Sequence, residues 1–216
     1  MGPAPSVSET RWTRRKQARP TEILDAALKV FAQKGFAAAR MEDIAKAAGV
    51  TKGTIYLYFA NKEAVFKALV REAVGTTLDT VAATAATFEG SARDLLRLFL
   101  TTMARLLVDG DKVVLPKIII AESSNFPWLA EFYRFEVIER GLQLMIALVE
   151  RGIAGGEFRA LPAGHIARLC VAPILFCAVW RVTFSHLDPV AYDYQGLIET
   201  HLDILFRGLA VEGGAA

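Results

Sequence analysis

The stretch 40–62 constrains this chain more than any other part of its sequence. Apolar side chains recur there at the spacing of one helix face in two short runs, which are Ile44, Ala45 and Ala48, and then Ile55 with Tyr58 or Phe59. Gly49 lies between the runs, where a left-handed residue that only glycine adopts cheaply would end the first helix. Thr51 is placed to cap the second helix by accepting the amide of Thr54. Two short helices joined by a tight turn are predicted, which is the pattern of a helix-turn-helix.

The positions of the basic side chains point to the partner of this motif. Arg40, Lys52 and Lys62 each fall in or beside the first turn of a predicted helix, where the helix dipole disfavours cations. A polyanion across the helix starts would explain them, because free amides and basic side chains would then address the same phosphates. The hydroxyls of Tyr56 and Tyr58 could reach phosphates too. Any one of these residues could instead be a solvated charge or a core tyrosine, but the set predicts DNA as the partner.

Residues 41–63 resemble the DNA-binding domain of the TetR/AcrR family of one-component bacterial regulators, and the match extends upstream through 23–36, including Lys34-Gly35-Phe36. This resemblance implies an all-α protein with an N-terminal three-helix helix-turn-helix domain. The helix that follows Asn61 would join it to a C-terminal helical bundle that dimerises. A homodimer on a double-stranded, palindromic DNA operator is the implied assembly.

The resemblance also implies roles for individual residues. The segment 51–57 would be the recognition helix, with Lys52, Gly53 and Thr54 nearest to the bases. Arg40 departs from the family because a capping threonine is common there, and Leu57 stands where an aromatic residue is frequent. The implied DNA-binding residues are Arg40, Thr51, Lys52, Gly53, Thr54, Tyr56, Tyr58 and Lys62.

The charge distribution agrees with this placement. Residues 1–62 carry 11 Lys and Arg against 5 Asp and Glu, whereas residues 63–216 carry 14 against 18. We predict three parts: a flexible basic arm at 1–18, a DNA-binding domain at 19–64 and a ligand-binding and dimerisation domain at 65–211. The arm would enter the minor groove or track phosphates, or else serve only as a solubilising tail.

The second part of the chain reads as helical throughout. Between Leu169 and Trp180 the sequence is apolar nearly all round, so a helix there must be buried on more than one side. A second copy of the chain is the simplest cover, and this helix with the last one is the predicted dimer interface. The predicted interface residues are Cys170, Val171, Ile174, Cys177, Leu202 and Leu205.

Large apolar side chains in this part also suggest a cavity for a small apolar or aromatic effector. The alternative for each of them is ordinary core, and Glu122 could equally be an exposed helix-surface carboxylate. The predicted pocket residues are Phe99, Met103, Ile119, Glu122, Phe132, Tyr133, Met145, Phe176 and Trp180.

Other classes of function find little support. The sequence contains no nucleophile elbow, zinc-protease motif or phosphate-binding glycine loop, so no enzyme, cofactor or metal site is expected. Cys170 and Cys177 read as buried thiols of a reducing cytoplasm. No secretory signal is recognised, and the run Leu169 to Trp180 is shorter than the roughly 20 residues of a bilayer span. A cytoplasmic protein with no membrane partner is therefore expected.

Two functional hypotheses remain. The first is a transcriptional regulator, usually a repressor in the family it resembles, that a small-molecule ligand releases from its operator by tilting the helix after Asn61. The second is a dimeric DNA-binding protein with no ligand. An apolar-ligand carrier that has lost operator binding is a more distant reading, because Thr51, Lys52, Tyr56 and Lys62 are intact.

Overall fold

A computed structural model describes residues 7–211 of the chain, without the side chains of 7–19 and 109. Within these residues the backbone is helical, and one isolated antiparallel bridge between Phe158 and Ala210 is its only β pairing. The predicted all-α fold is confirmed. The chain divides into two compact units, one that ends at Glu72 and one that begins at Ala73.

The first unit is built from four helices. They are α1 (Val7–Ala38), α2 (Met41–Ala47), α3 (Lys52–Tyr58) and α4 (Lys62–Val70). Gly35, with φ of 73°, interrupts α1 three residues before its end. The helix begins at Val7, so the backbone of 7–18, expected to be part of a flexible arm, is helical. The fixed φ of Pro20 is compatible with the helix that passes through it. The basic side chains expected of the arm, and residues 1–6, lie outside the described residues.

An aromatic cluster lies at the centre of the first unit. The rings of Phe31, Phe36 and Phe66 have centroids 5.5 to 5.7 Å apart and pack edge-on or stacked. Ile44 of α2 and Ile55 of α3 are fully buried. The two apolar faces that the sequence predicted are therefore the faces that close against the other helices.

The second unit continues the helical pattern. Its α-helices are α5 (Thr76–Thr87), α6 (Ala92–Ala104), α7 (Val114–Glu122), α8 (Pro127–Tyr133), α9 (Arg140–Ala154), α10 (Ala163–Thr183) and α11 (Tyr194–Leu209). Wide π turns, with one residue more per turn than an α-helix, occupy Arg71–Gly75, Arg105–Asp109 and Arg134–Glu139, and short 3-10 helices occupy Asp111–Val113 and Ser185–Leu187. The stretch from Pro127 to Ala154 is thus helical throughout, but it consists of α8, a π turn and α9.

The core of the second unit lies between α6, α9, α10 and α11. By length and composition α10 could cross a bilayer, and no other helix in the described part of the chain meets that criterion. Cys170, Ile174 and Cys177 of α10 are nevertheless fully buried against the other helices of this unit. Packing within the unit therefore accounts for one face of this apolar helix.

Candidate functional site

The turn between α2 and α3 has the predicted geometry. Gly49 has φ of +66°, and the amide of Val50 donates to the carbonyl of Ala45 at 3.0 Å. The amide of Gly49 donates to the carbonyl of Lys46 at 3.2 Å, which completes a Schellman motif. This motif ends α2 and sets the angle at which α3 leaves the turn.

The start of each following helix is capped by a side chain. The hydroxyl of Thr51 accepts the amide of Thr54 at 3.1 Å, and Asn61 Oδ1 accepts the amide of Ala64 at 2.8 Å. The predicted cap at Thr51 is confirmed. Arg40 precedes α2 without capping it, and instead the Asp43 carboxylate accepts the Arg40 amide at 3.1 Å. The guanidinium of Arg40 is thus not needed for the cap.

Lys52 and Glu42 form an exposed ion pair between α3 and α2, with Nζ and Oε1 2.6 Å apart. The hydrogen bond from Lys52 holds the pKa of the Glu42 carboxyl below its usual value, and the same bond raises the pKa of Lys52. An exposed pair of this kind adds little to stability and exchanges readily. The ammonium is therefore present at the surface of α3 and can change partner.

Several side chains of α3 project into solvent without a role in packing. Tyr56 is 44% exposed and Leu57 is 83% exposed, the highest value among the large apolar side chains of the described residues. A Cβ added to Gly53 would meet only Thr51 Oγ1, at 3.9 Å. The fold would accept a side chain there, so packing does not explain a glycine that weakens the helix. Tyr58, in contrast, is half-buried.

Lys62 has a different environment from the one that the sequence suggested. Its Nζ donates to the carbonyl oxygens of Phe36 at 2.6 Å, Ala37 at 3.0 Å and Ala39 at 2.8 Å. These carbonyls lie at the end of α1, where a cation is favourable. A contact with the end of α1 therefore explains Lys62 within the unit, and its role as a phosphate contact stays a prediction.

A cavity of about 280 Å³ lies in the second unit. Its wall contains residues of all three π turns, namely Val74, Leu106, Leu107, Val137 and Ile138. The remaining lining residues are Thr77, Leu78, Val81, Phe99, Thr102, Met103, Pro116, Ile119, Ile120, Tyr133, Gly141, Leu142, Val171 and Leu175. Ile120 and Ile138 are also exposed at the surface, so the cavity opens beside them.

Four of the predicted pocket residues line this cavity, and they are Phe99, Met103, Ile119 and Tyr133. The other five do not. Met145 is fully buried in the core, Phe176 is 52% exposed, and the Trp180 indole donates to Asp188 at 3.0 Å. Glu122 and Phe132 are absent from the wall. The contribution of α5 was missed, because its apolar stripe has the pattern of any core-facing helix.

The predicted interface residues differ in how far their own chain covers them. Cys170, Ile174, Cys177 and Leu202 are fully enclosed by their own chain, so their side chains offer no surface to a second copy in this structure. Val171 and Leu205 are half-buried against the same core. On α10 the exposed large apolar side chains are instead Leu169, Leu175 and Phe176. Leu169 and Phe176, the two most exposed, are seven residues apart and hence on one face, and on α11 Ile204 is exposed.

The first unit contains a capped helix-turn-helix whose second helix exposes basic, hydroxyl and apolar side chains. The second unit contains an apolar cavity. Together these two features define a DNA-binding transcriptional regulator. Residues 23–69 match the family of bacterial regulatory proteins known as the tetR family. The first unit therefore carries a DNA-binding domain of the TetR family.

Similar proteins agree with this assignment. The fatty acid metabolism regulator protein of Bacillus subtilis (strain 168) is 28% identical over 196 residues, which are 90% of this chain and 98% of that protein. The HTH-type transcriptional repressor KstR2 of Rhodococcus jostii (strain RHA1) is 28% identical over 67% of this chain and 70% of its own. The crystal structure of the transcriptional regulator FadR from Bacillus subtilis in complex with stearoyl-CoA superimposes with a TM-score of 0.68 at 24% identity, covering 88% of this chain and 98% of that one.

Proposed function

We propose that this regulator is a repressor that an apolar acyl compound releases from a palindromic operator. The observation that carries the proposal is the cavity, whose wall is apolar except for two threonines and one tyrosine. A relative named for fatty acid metabolism and a relative named as a repressor support the two halves of the proposal.

On the DNA side, we propose that Lys52, Gly53 and Thr54 lie against the bases and that Tyr56 and Arg40 contact phosphates. Gly53 would let a DNA backbone approach α3 closely, and the exposed Leu57 would contact a thymine methyl group. Lys52 would leave Glu42 for a phosphate or a guanine. Lys62 would support the domain from within. We propose that Thr51 orients these residues as the cap of α3. Tyr58 is half-buried and would lie at the edge of the DNA-binding surface.

We propose that the ligand acts through the π turn Arg71–Gly75, along which the chain passes from the first unit to the second. Val74 of this turn lines the cavity. A ligand that fills the cavity displaces or holds Val74, and the change is conveyed along the backbone to α4. The effector needs different affinities for the two arrangements, since only differential binding shifts an equilibrium.

We further propose that the regulator binds DNA as a homodimer through the exposed face of α10 and α11. Leu169 and Phe176 are large apolar side chains on one face of α10 that their own chain leaves exposed. A second copy of the same face would cover them by two-fold symmetry. This face replaces the enclosed residues that the sequence suggested.

A mobility-shift titration at fixed salt with the DNA that flanks the gene tests the proposal. Stearoyl-CoA should release the wild-type protein from the DNA. Gly141→Leu should resist release, because its side chain would extend into the cavity, whereas Gly141→Ala, whose Cβ meets only Leu78 Cδ2 at 3.8 Å, is the matched control. Equal release of both variants would place the effector elsewhere. Specific binding that no acyl compound alters would favour the ligand-independent regulator.

A further inference from the structure

Polar atoms are scarce in the wall of the cavity. Of its lining residues, only Thr77, Thr102 and Tyr133 have a polar side-chain atom, and none is charged. The hydroxyls of Thr77 and Thr102 have no hydrogen-bond partner among the described residues, but rotation about χ1 would let each donate to the backbone carbonyl four residues earlier, so neither needs a ligand. A phenol lies at the far end of a rigid ring and has no such local acceptor. Tyr133 is therefore the residue to which a ligand would matter most.

The hydroxyl of Tyr133 is buried and available. The residue is 7% exposed, and within residues 7–211 its hydroxyl has no hydrogen-bond partner. Among the described residues, Tyr194 Oη is the polar side-chain atom that is both sealed from solvent and without a partner. Tyr133 Oη also lacks a partner but is not sealed, so it borders open space. Burial raises the pKa of Tyr133 well above its usual value, which keeps the hydroxyl protonated as a donor. Such a donor is costly to leave unpaired.

Building on the proposed effector site, we infer that the cavity selects an uncharged acyl group, such as a thioester, ester or ketone, whose carbonyl oxygen accepts a hydrogen bond from Tyr133. The hydrocarbon chain then fills the apolar remainder. A free carboxylate is disfavoured, because one neutral donor does not offset the loss of water around a charge and the wall has no cation. Any charged part of the ligand stays outside, beyond the opening at Ile120 and Ile138.

Calorimetric titration with three probes of equal chain length tests the inference. The probes are lauroyl-CoA, 2-dodecanone and dodecanoate, each below its micelle concentration. Wild-type protein should bind the first two at least about tenfold more tightly than dodecanoate. Tyr133→Phe should weaken both by about tenfold or more, since it leaves the carbonyl unpaired. Tyr192→Phe, outside the cavity, is the matched control and should bind as the wild type does.

The outcomes separate this inference from the proposed function. Suppose that both carbonyl probes bind the wild-type protein, fail to bind Gly141→Leu, and bind Tyr133→Phe with unchanged affinity. The effector site would then be supported, and the role of Tyr133 would be contradicted. Tightest binding of dodecanoate would overturn the selection against carboxylates. If no probe binds, or if binding is indifferent to Gly141→Leu, the effector site and the inference fail together.

Discussion

The ammonium of Lys62 lies 2.6 Å from the carbonyl oxygen of Phe36 and 4.5 Å from the centroid of its ring. One side chain thus binds both the backbone and the aromatic face of a residue 26 positions earlier. The contact ties the start of α4 to the end of α1. The ring of Phe36 thus contacts both a cation and the other two rings of the aromatic cluster.

Lys62→Met should therefore lower the free energy of unfolding. This loss of stability, and not the lost charge on the DNA-binding face, should be its main effect. Hydrogen bonds to charged groups contribute about 1.5–3 kcal/mol, so we expect at least about 1.5 kcal/mol in urea unfolding. Lys46→Met is the control, because Lys46 is exposed on α2. Unchanged stability with a weakened, less salt-dependent DNA affinity would restore Lys62 as a phosphate contact.

Gly53→Ala should move stability and DNA binding in opposite directions. Alanine removes the conformational penalty of glycine in α3, so the free energy of unfolding should rise by about 0.5–1 kcal/mol. The added methyl group should weaken operator binding if the DNA backbone approaches this position closely. Urea unfolding and a mobility-shift titration measure the two effects. Full affinity in the variant would show that DNA does not approach Gly53.

Two substitutions on α10 distinguish an interface from a core. Leu169→Glu places a charge at an exposed position and should give folded monomers in sedimentation velocity experiments. Ile174→Glu buries an unpaired carboxylate in the core of its own chain and should destabilise the protein by more than about 4 kcal/mol. Folded dimers of Leu169→Glu would place the contact between copies on another surface.

The buried thiols predict how stability depends on alkaline pH. Burial raises the pKa of Cys170 to about 12, and it also raises the pKa of Cys177. Between the ordinary value of 9.0 and about 12 the unfolded chain loses a proton from Cys170 that the folded chain keeps, so the free energy of unfolding falls as pH rises. Below pH 9 this contribution is fully present.

Cys170→Ala should start less stable at pH 7, because a buried sulfur is lost, yet lose less stability between pH 9 and 11 than the wild type. Guanidinium unfolding at each pH measures the difference. In parallel, a thiol reagent at pH 8 should leave the native protein unlabelled and label both cysteines after unfolding. Rapid labelling of native protein would contradict the burial of these thiols.

The features that could be predicted from the sequence are those in which the interacting groups are close along the chain. Gly49, Thr51 and Asn61 each act within five residues, so their residue types and spacing determined the Schellman turn and the two caps. The bonds of Lys62 to the end of α1 span more than 20 residues, and nothing in the local sequence indicates them. The dipole argument identified Lys62 as unusual but did not foresee the carbonyl oxygens at the end of α1 as its partners.

In the second unit, side-chain size was likewise not enough to predict which residues line the cavity. A large apolar side chain predicts burial, but it does not say whether the side chain meets the core, the cavity or solvent. Met103 lines the cavity, Met145 fills the core and Phe176 is exposed, although the sequence predicted all three as pocket residues. Only the positions of the neighbouring helices, including the unpredicted π turns, separate them.

The uncovered apolar face of α10 has a consequence for the response of the target promoter. If that face joins two copies and only the pair spans an operator, then below the dimerisation constant the occupancy of the promoter grows with the square of the regulator's concentration. Modest changes in synthesis or degradation of the chain would then be amplified at the gene. Leu169, remote in sequence from every residue of α3, would in this way set the steepness of a genetic dose-response curve.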